Sequence, residues 1–256
     1  MPVDKTLWNE TFSQSDVPPF VCPRCEKGRL NFDKKTLVIE EPPYSKDAHA
    51  HDAWEPDWIE ERFILFLRCG LVKCGQIVAV LGETSVETVP QEDGDWGYES
   101  LLRPRSMYPA PPIIKSPEDT PKEIRIELAL SFQMFWSDPG SCATKIRTSV
   151  ERLMDHFGVT KMRIAKDAKN PSKPGKMKPL DLSARIDKFI STTGNAVHKD
   201  HLHALRRIGN LGTHMNTLSR GELLDTYEVY EHALEELIGK KSAKIARLAK
   251  RLAKKG

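Results

Sequence analysis

Two hydrophobic periods divide this chain. Early on, apolar residues come in short dense runs, at positions 30–39, 63–67 and 77–81, with turn-forming residues flanking them. Runs of that length, rich in Leu, Ile, Val and Phe, predict strands. From Ser116 the period becomes helical. Ser116-Pro117-Glu118-Asp119 has the proline and acids of a helix start, and Ile124, Leu128, Phe132 and Phe135 follow as a core strip. Asp138-Pro139-Gly140 closes that helix. A second runs over about 141–156, with Ile146, Val150, Leu153 and Phe157 inward, and stops at Gly158. A third covers 181–192 through Leu182, Ile186, Phe189 and Ile190, and a fifth covers 220–238 through Leu223, Leu224, Tyr227, Tyr230, Leu234 and Leu237.

The fourth helix holds the densest pattern, Leu205-Arg-Arg-Ile-Gly-Asn-Leu-Gly-Thr-His214. Ala204, Ile208, Leu211 and Met215 recur at steps of four, three and four, which predicts that this strip faces the core. Arg207, Asn210 and His214 form a polar stripe beside it. Gly209 and Gly212 interrupt both, although a glycine inside a helix costs about 1 kcal/mol against alanine. Two in one turn imply that something comes very close to this backbone. The polar stripe has two readings. It is a hydrogen-bonded packing network, with the glycines admitting a neighbouring helix, or a phosphate clamp and a general acid/base. Seven residues separate Arg207 from His214 by roughly 10 Å along one helix, so a shared phosphodiester would need two antiparallel copies.

Between the two regimes, residues 90–116 are dense in proline and glycine and predict a linker or wrapping segment. Its Trp96, Tyr98 and Tyr108 are expected to pack down on a domain. Residues 161–179 are Pro- and Lys-rich and predict a solvated loop, with a flexible arm for phosphate contacts as the alternative. The tail, 240–256, reads as a short basic amphipathic helix with Ile245, Leu248 and Leu252 on one side.

The early segment carries two cysteine pairs, Cys22-Pro-Arg-Cys25 and Cys69-Gly-Leu-Val-Lys-Cys74, each at a glycine-marked turn. Two such knuckles joined by a hairpin predict a zinc ribbon, four thiolates about 2.3 Å from a tetrahedral ion. In the cytosol that spacing argues for metal over disulfides. The second pair is wider than usual, and two readings stay open: Cys22 and Cys25 acting alone, or cysteines simply buried as small hydrophobes. Cys142 stands alone in a helix and reads as packing. His49 and His51 read as an exposed loop and as fallback ligands. His198, His201 and His203 lack the spacing of a helical metal pair, so no second metal is assigned there, and His201 reads as surface.

Composition changes the picture in one respect. The formal charge of +3 divides into −6 over residues 1–116, +1 over 117–239 and +8 over 240–256, so the basic balance is the work of the tail. A basic surface of that kind is what nucleic-acid binders use. The longest apolar run, around 76–81, is far too short to cross a bilayer. The first ten residues contain no apolar signal core, and a soluble cytoplasmic protein is expected.

The Arg207-to-His214 stretch resembles the Arg-(four to six residues)-His motif of the HEPN superfamily. More narrowly, it is similar to a HEPN-like domain of unknown function (DUF-4145 type) found in bacterial restriction and phage-defence proteins, with a pattern like Leu-Arg-x-x-Gly-Asn-x-x-x-His. The likeness spans about 108–238 and includes Tyr108-Pro109 and Ile146-Arg147-x-x-x-Glu151-x-Leu153. It departs at Ile208, where active HEPN nucleases usually carry a polar residue after the arginine, and its six-residue gap is long. The resemblance implies a helical, often dimeric domain. It implies a metal-independent ribonuclease of a defence or toxin-type system, in which Arg207, Asn210 and His214 are catalytic and RNA is the partner. The alternative is a non-catalytic dimerisation module that binds nucleic acid or a partner protein of a defence complex.

The expected fold class is therefore mainly α, a HEPN-like helical bundle preceded by a small β-rich zinc-ribbon-like module. The expected segments are 1–89 for the ribbon, 90–116 for the linker, 117–239 for the helical domain and 240–256 for the tail. Cys22, Cys25, Cys69 and Cys74 would hold a structural zinc, and the chemistry would need no cofactor.

Overall fold

The structure, a computed structural model, describes residues 3–90, 95–165, 175–214 and 218–254, residues 213 and 214 by their backbone alone. It is 46% helix and 23% strand, with a curled antiparallel half-barrel sheet in the N-terminal region. The mainly α expectation is thereby corrected to a mixed fold. Two compact units are present: Pro2–Pro112 with Phe132–Asp138, and Ile113–Ser131 with Pro139–Gly256.

The sheet unit contains β1 (Phe12–Ser13), β2 (Leu30–Phe32), β3 (Val38–Glu40), the short helix α1 (Pro43–Ala48), β4 (Arg62–Cys69), β5 (Ile77–Pro90) and β6 (Trp96–Tyr108). The strand order is β1-β6-β5-β4-β2, with β3 also on β4, and all these pairings are antiparallel. β4 alternates strictly: Phe63, Leu65, Leu67 and Cys69 are buried, and the residues between them are exposed. That period of two fixes the register, because a one-residue slip would turn every apolar side chain outward. Trp8, Phe12 and Phe20 pack with Phe135 and Trp136 at ring separations of 5.0–6.1 Å.

The linker reading of 90–116 is overturned along Trp96–Tyr108, where β6 pairs with β5. Pro104 is accommodated within the strand. It lies opposite Gly82 at a register shift, and β1 covers β6 only at Leu101 and Leu102. Pro104 therefore sits in a one-sided, bulged stretch, where proline is tolerated. A Cβ on Gly82 would overlap the Arg103 carbonyl, which is why glycine stands at the bulge. Trp96, Tyr98 and Tyr108 are solvent-exposed and do not pack down.

The helical unit contains α2 (Lys122–Met134) as far as Ser131, α3 (Pro139–His156), the hairpin β7 (Met162–Ala165) and β8 (Lys176–Pro179), α4 (Leu182–Thr193), α5 (Lys199–His214), α6 (Arg220–Leu237) and α7 (Lys241–Ala253). The loop expected at 161–179 thus has paired ends, while 166–174 lies outside the described residues. Asp181 caps α4 through the Ala184 amide, and Gly194 closes it in the left-handed region. Ser219 and Glu222 form a capping box on α6. The predicted strips of α3, α4 and α6 are inward: Ile146, Val150, Leu153, Leu182, Ile186, Phe189, Tyr227, Tyr230 and Leu234 are all buried. The buried tyrosines are satisfied. Tyr227 Oη donates to Ser131 Oγ at 2.8 Å, and the Tyr230 and Ser149 hydroxyls bond at 2.5 Å. Arg185, also buried, donates to Asp155 at 2.6 Å and so ties α4 to α3.

α5 is rotated from its expected phase. Leu202, Leu205 and Gly209 are buried, whereas Ala204 and Leu211 are exposed and Ile208 is half-buried. Met215 lies outside the described residues. The glycines set this phase. A Cβ at Gly209 would overlap Arg147, and one at Gly212 would overlap the Gly140 carbonyl, both on α3. The inward stripe is therefore Leu202, Leu205 and Gly209, all buried, continued by half-buried Gly212, with glycine used as a contact residue.

Gly212→Ala tests that contact. Helix propensity alone would favour alanine by about 1 kcal/mol, but overpacking typically costs about 1–3 kcal/mol, and here the obstacle is backbone. Denaturant unfolding is expected to show a net loss of stability. A gain would mean that α3 and α5 are not in such close contact.

Candidate metal centre and the helix-five face

The strongest chemical constellation joins the two cysteine turns. Val21 bridges to Arg29, which folds residues 22–28 into a tight loop. Within it the Cys22 amide donates to the Gly28 carbonyl at 2.9 Å, and Glu26 takes a positive φ. The second turn leaves β4 at Cys69, and Cys74 and Gly75 both donate to the Leu71 carbonyl before β5 begins. The two turns are laced together by the Gly70 amide, which donates to the Arg29 carbonyl at 2.9 Å. A Cβ at Gly28 would come within 2.5 Å of Cys69 Sγ, so this glycine makes room for the sulfur.

All four sulfurs lie within 4.8 Å of one another. Cys22 Sγ is 3.7 Å from Cys74 Sγ, and Cys25 Sγ is 3.8 Å from Cys69 Sγ. A disulfide requires about 2.05 Å. The edge of a tetrahedron with 2.3 Å metal–sulfur bonds is about 3.8 Å. The cluster therefore has the spacing of a shared metal such as zinc, and none of the five cysteines forms a disulfide.

Electrostatics divides the four. The Gly28 and Lys27 amides aim at Cys25 and lower its thiol to about 6. Burial pushes Cys69 up to about 12 and raises Cys22 as well. Burial thus opposes thiolate formation at two of the positions, and a bound cation would reverse this by stabilising the deprotonated sulfurs. The Gly28 amide, 3.4 Å from Cys25 Sγ, supplies an outer hydrogen bond that orients the sulfur.

Other sequence candidates fall elsewhere. His49 pairs with Glu41 at 2.8 Å, and His51 Nδ1 accepts from the Ala53 amide, so neither joins the cysteine cluster. Cys142 is buried in the helical unit, 3.1 Å from Tyr227 Oη. On α5, Arg207 is exposed and Asn210 half-buried, while the side chain of His214 lies outside the described residues. A shallow, largely apolar groove beside this face is lined by Ala204, Leu205 and Ile208 of α5 and by Glu222, Asp225, Thr226 and Val229 of α6. One grouping was missed in the sequence. His198, His201 and His232 bring their ring nitrogens within 4.8 Å of one another. No one-dimensional spacing connects them, because the third comes from a different helix.

The comparisons divide the chain in a similar way. Residues 10–106 match the family described as Domain of unknown function (DUF8608), and residues 130–255 match the family described as Domain of unknown function (DUF4145). No curated protein and no solved structure matches the chain. Among the described residues, no helix is long and apolar enough to cross a membrane.

Because Arg207 is exposed, Arg207→Ala is expected to leave folding stability within about 0.5 kcal/mol of wild type, as read by chemical denaturation. A large loss would place its guanidinium in the packing and remove it from consideration as a ligand-facing group.

Proposed function

We propose that this chain acts as an RNA-cleaving homodimer of HEPN type, in a defence or toxin-like system, with its N-terminal sheet held by a structural zinc on Cys22, Cys25, Cys69 and Cys74. The observation that carries the catalytic half is the free face of α5. Ala204 and Leu211 are exposed, Ile208 is half-buried, and Arg207 stands exposed beside them. An apolar stripe on an uncovered helix face suits pairing with a second copy. Antiparallel pairing would bring Arg207 of one protomer towards His214 of the other, which the roughly 10 Å spacing along a single helix does not allow.

In that composite site His214 would take the proton from a ribose 2′-hydroxyl or protonate the departing 5′-oxygen. The 2′-oxygen attacks phosphorus, the bond to the 5′-oxygen breaks, and a 2′,3′-cyclic phosphate and a 5′-hydroxyl result. Arg207 would hold the charge that builds on the phosphoryl oxygens, and Asn210 would orient one of the two. No metal enters this chemistry. The zinc is remote in role: a four-thiolate set is closed and leaves no position for substrate. α7 has no buried residue and belongs to the segment of charge +8, so it offers the phosphate backbone a salt-sensitive contact.

A second reading is favoured by Gly209 and Gly212, whose lack of a Cβ is accounted for by contact with α3 alone. On it, α5 builds only the dimer, and the protein recruits nucleic acid or a partner protein of a defence complex.

Mixed dimers separate the two. Arg207→Ala and His214→Ala chains should each be inactive in EDTA, with loss of the general acid/base costing about 10²–10⁴-fold. Their heterodimer should regain activity through one intact composite site. Confirmed heterodimers without recovery would exclude a shared site, and a wild type inactive on a broad RNA panel would leave the scaffold reading.

A further inference from the structure

Three imidazoles converge in the helical unit. His198 ends the short 3-10 turn Ala196–His198 that leads into α5, His201 lies in the first turn of α5, and His232 projects from α6. Their ring centroids are 5.3–5.9 Å apart. The Nδ1 atoms of His198 and His201 are 3.5 Å apart. For a tetrahedral ion with metal–nitrogen bonds of 2.0–2.1 Å, the edge between two ligand atoms is about 3.3–3.4 Å, so this pair already stands close to chelating distance.

Burial differs across the set: His198 is only 9% exposed, His201 is half-buried and His232 is exposed. An aromatic packing cluster would explain the ring distances, but it gives no reason for three ring nitrogens to face one another. With one nitrogen of each ring in the cluster, each neutral ring brings either a donor or an acceptor there, so three such atoms cannot all be paired one to one.

We propose that His198, His201 and His232 form a second metal site, distinct from the cysteine cluster, that takes a divalent first-row transition metal such as zinc. An all-imidazole set selects such ions over magnesium or calcium, which prefer oxygen. Three protein nitrogens leave the fourth position to solvent or an exogenous ligand. The ion would clamp the start of α5, the helix that carries Arg207, to α6. This assignment does not depend on ribonuclease activity.

The test uses the full chain without a polyhistidine tag, purified with its tightly held metal and then titrated with Zn2+ by calorimetry. Wild type should take up one further equivalent. His232→Ala removes an exposed ligand and should weaken that step by more than the roughly 10–100-fold that loss of an outer-shell partner costs. His232→Asp, which restores a ligating atom, should retain measurable uptake, and His49→Ala/His51→Ala should behave as wild type. Co2+ in the added equivalent should show ligand-field absorption without a thiolate charge-transfer band. No further equivalent in wild type would overturn the proposal. So would unchanged uptake in both His232→Ala and His201→Ala, or a thiolate band from the added cobalt.

Discussion

The meeting of two cysteine turns is the constraint on which the N-terminal unit depends. Cys69 is both the last inward residue of β4 and a member of the sulfur cluster, and its register partner is Leu30 at the head of β2. One residue thus links sheet register to the ligand set. Sliding β4 by one position would turn Phe63, Leu65 and Leu67 outward and carry the sulfur away from its three neighbours. On the zinc reading the energetic weight is large. Structural zinc contributes about 10–16 kcal/mol in small zinc-binding peptides, whereas a whole domain is typically stable by only about 5–15 kcal/mol. Gly28 and Gly75 serve that meeting, one by leaving room for the Cys69 sulfur and the other by its positive φ.

In the helical unit the corresponding constraint is the close approach of α3 and α5. Gly209 and Gly212 turn one face of α5 against α3, and that choice leaves Ala204, Arg207 and Leu211 outside. The face that the proposed dimer and its RNA chemistry would use is thus left outside by the same residues that fix the packing. The two functional readings differ only in what that face meets. The imidazole cluster lies at the other end of α5, so a metal there would fix the beginning of the helix while the glycines fix its second half.

Much of this was legible in the sequence, and the rest was hidden for identifiable reasons. The cysteine spacing announced the cluster because ligand pairs close in sequence stay close in space. The strips of α3, α4 and α6 were readable because large apolar side chains alone decide their phase. The phase of α5 is not legible from its apolar side chains, because its contact side is marked by Gly209 and Gly212, which carry no hydrophobic signal. β6 looks like a linker in sequence because Pro104 and its neighbours are breakers, and only the bulge opposite Gly82 and the short reach of β1 make that proline compatible with a strand. The two long strands β5 and β6 are also why the fold is mixed and not mainly α. The histidine cluster had no local signature, since His232 reaches the other two only through the packing of α6 on α5.

The most direct measurement of the central claim is zinc-edge X-ray absorption on His201→Ala/His232→Ala protein reconstituted with one equivalent of zinc. The double substitution removes the imidazole cluster, so the signal reports the cysteine cluster alone. Four sulfurs at about 2.3 Å and no lighter first-shell ligand is the predicted result. A shell containing nitrogen or oxygen at about 2.0–2.1 Å, or fewer than four sulfurs, would contradict it.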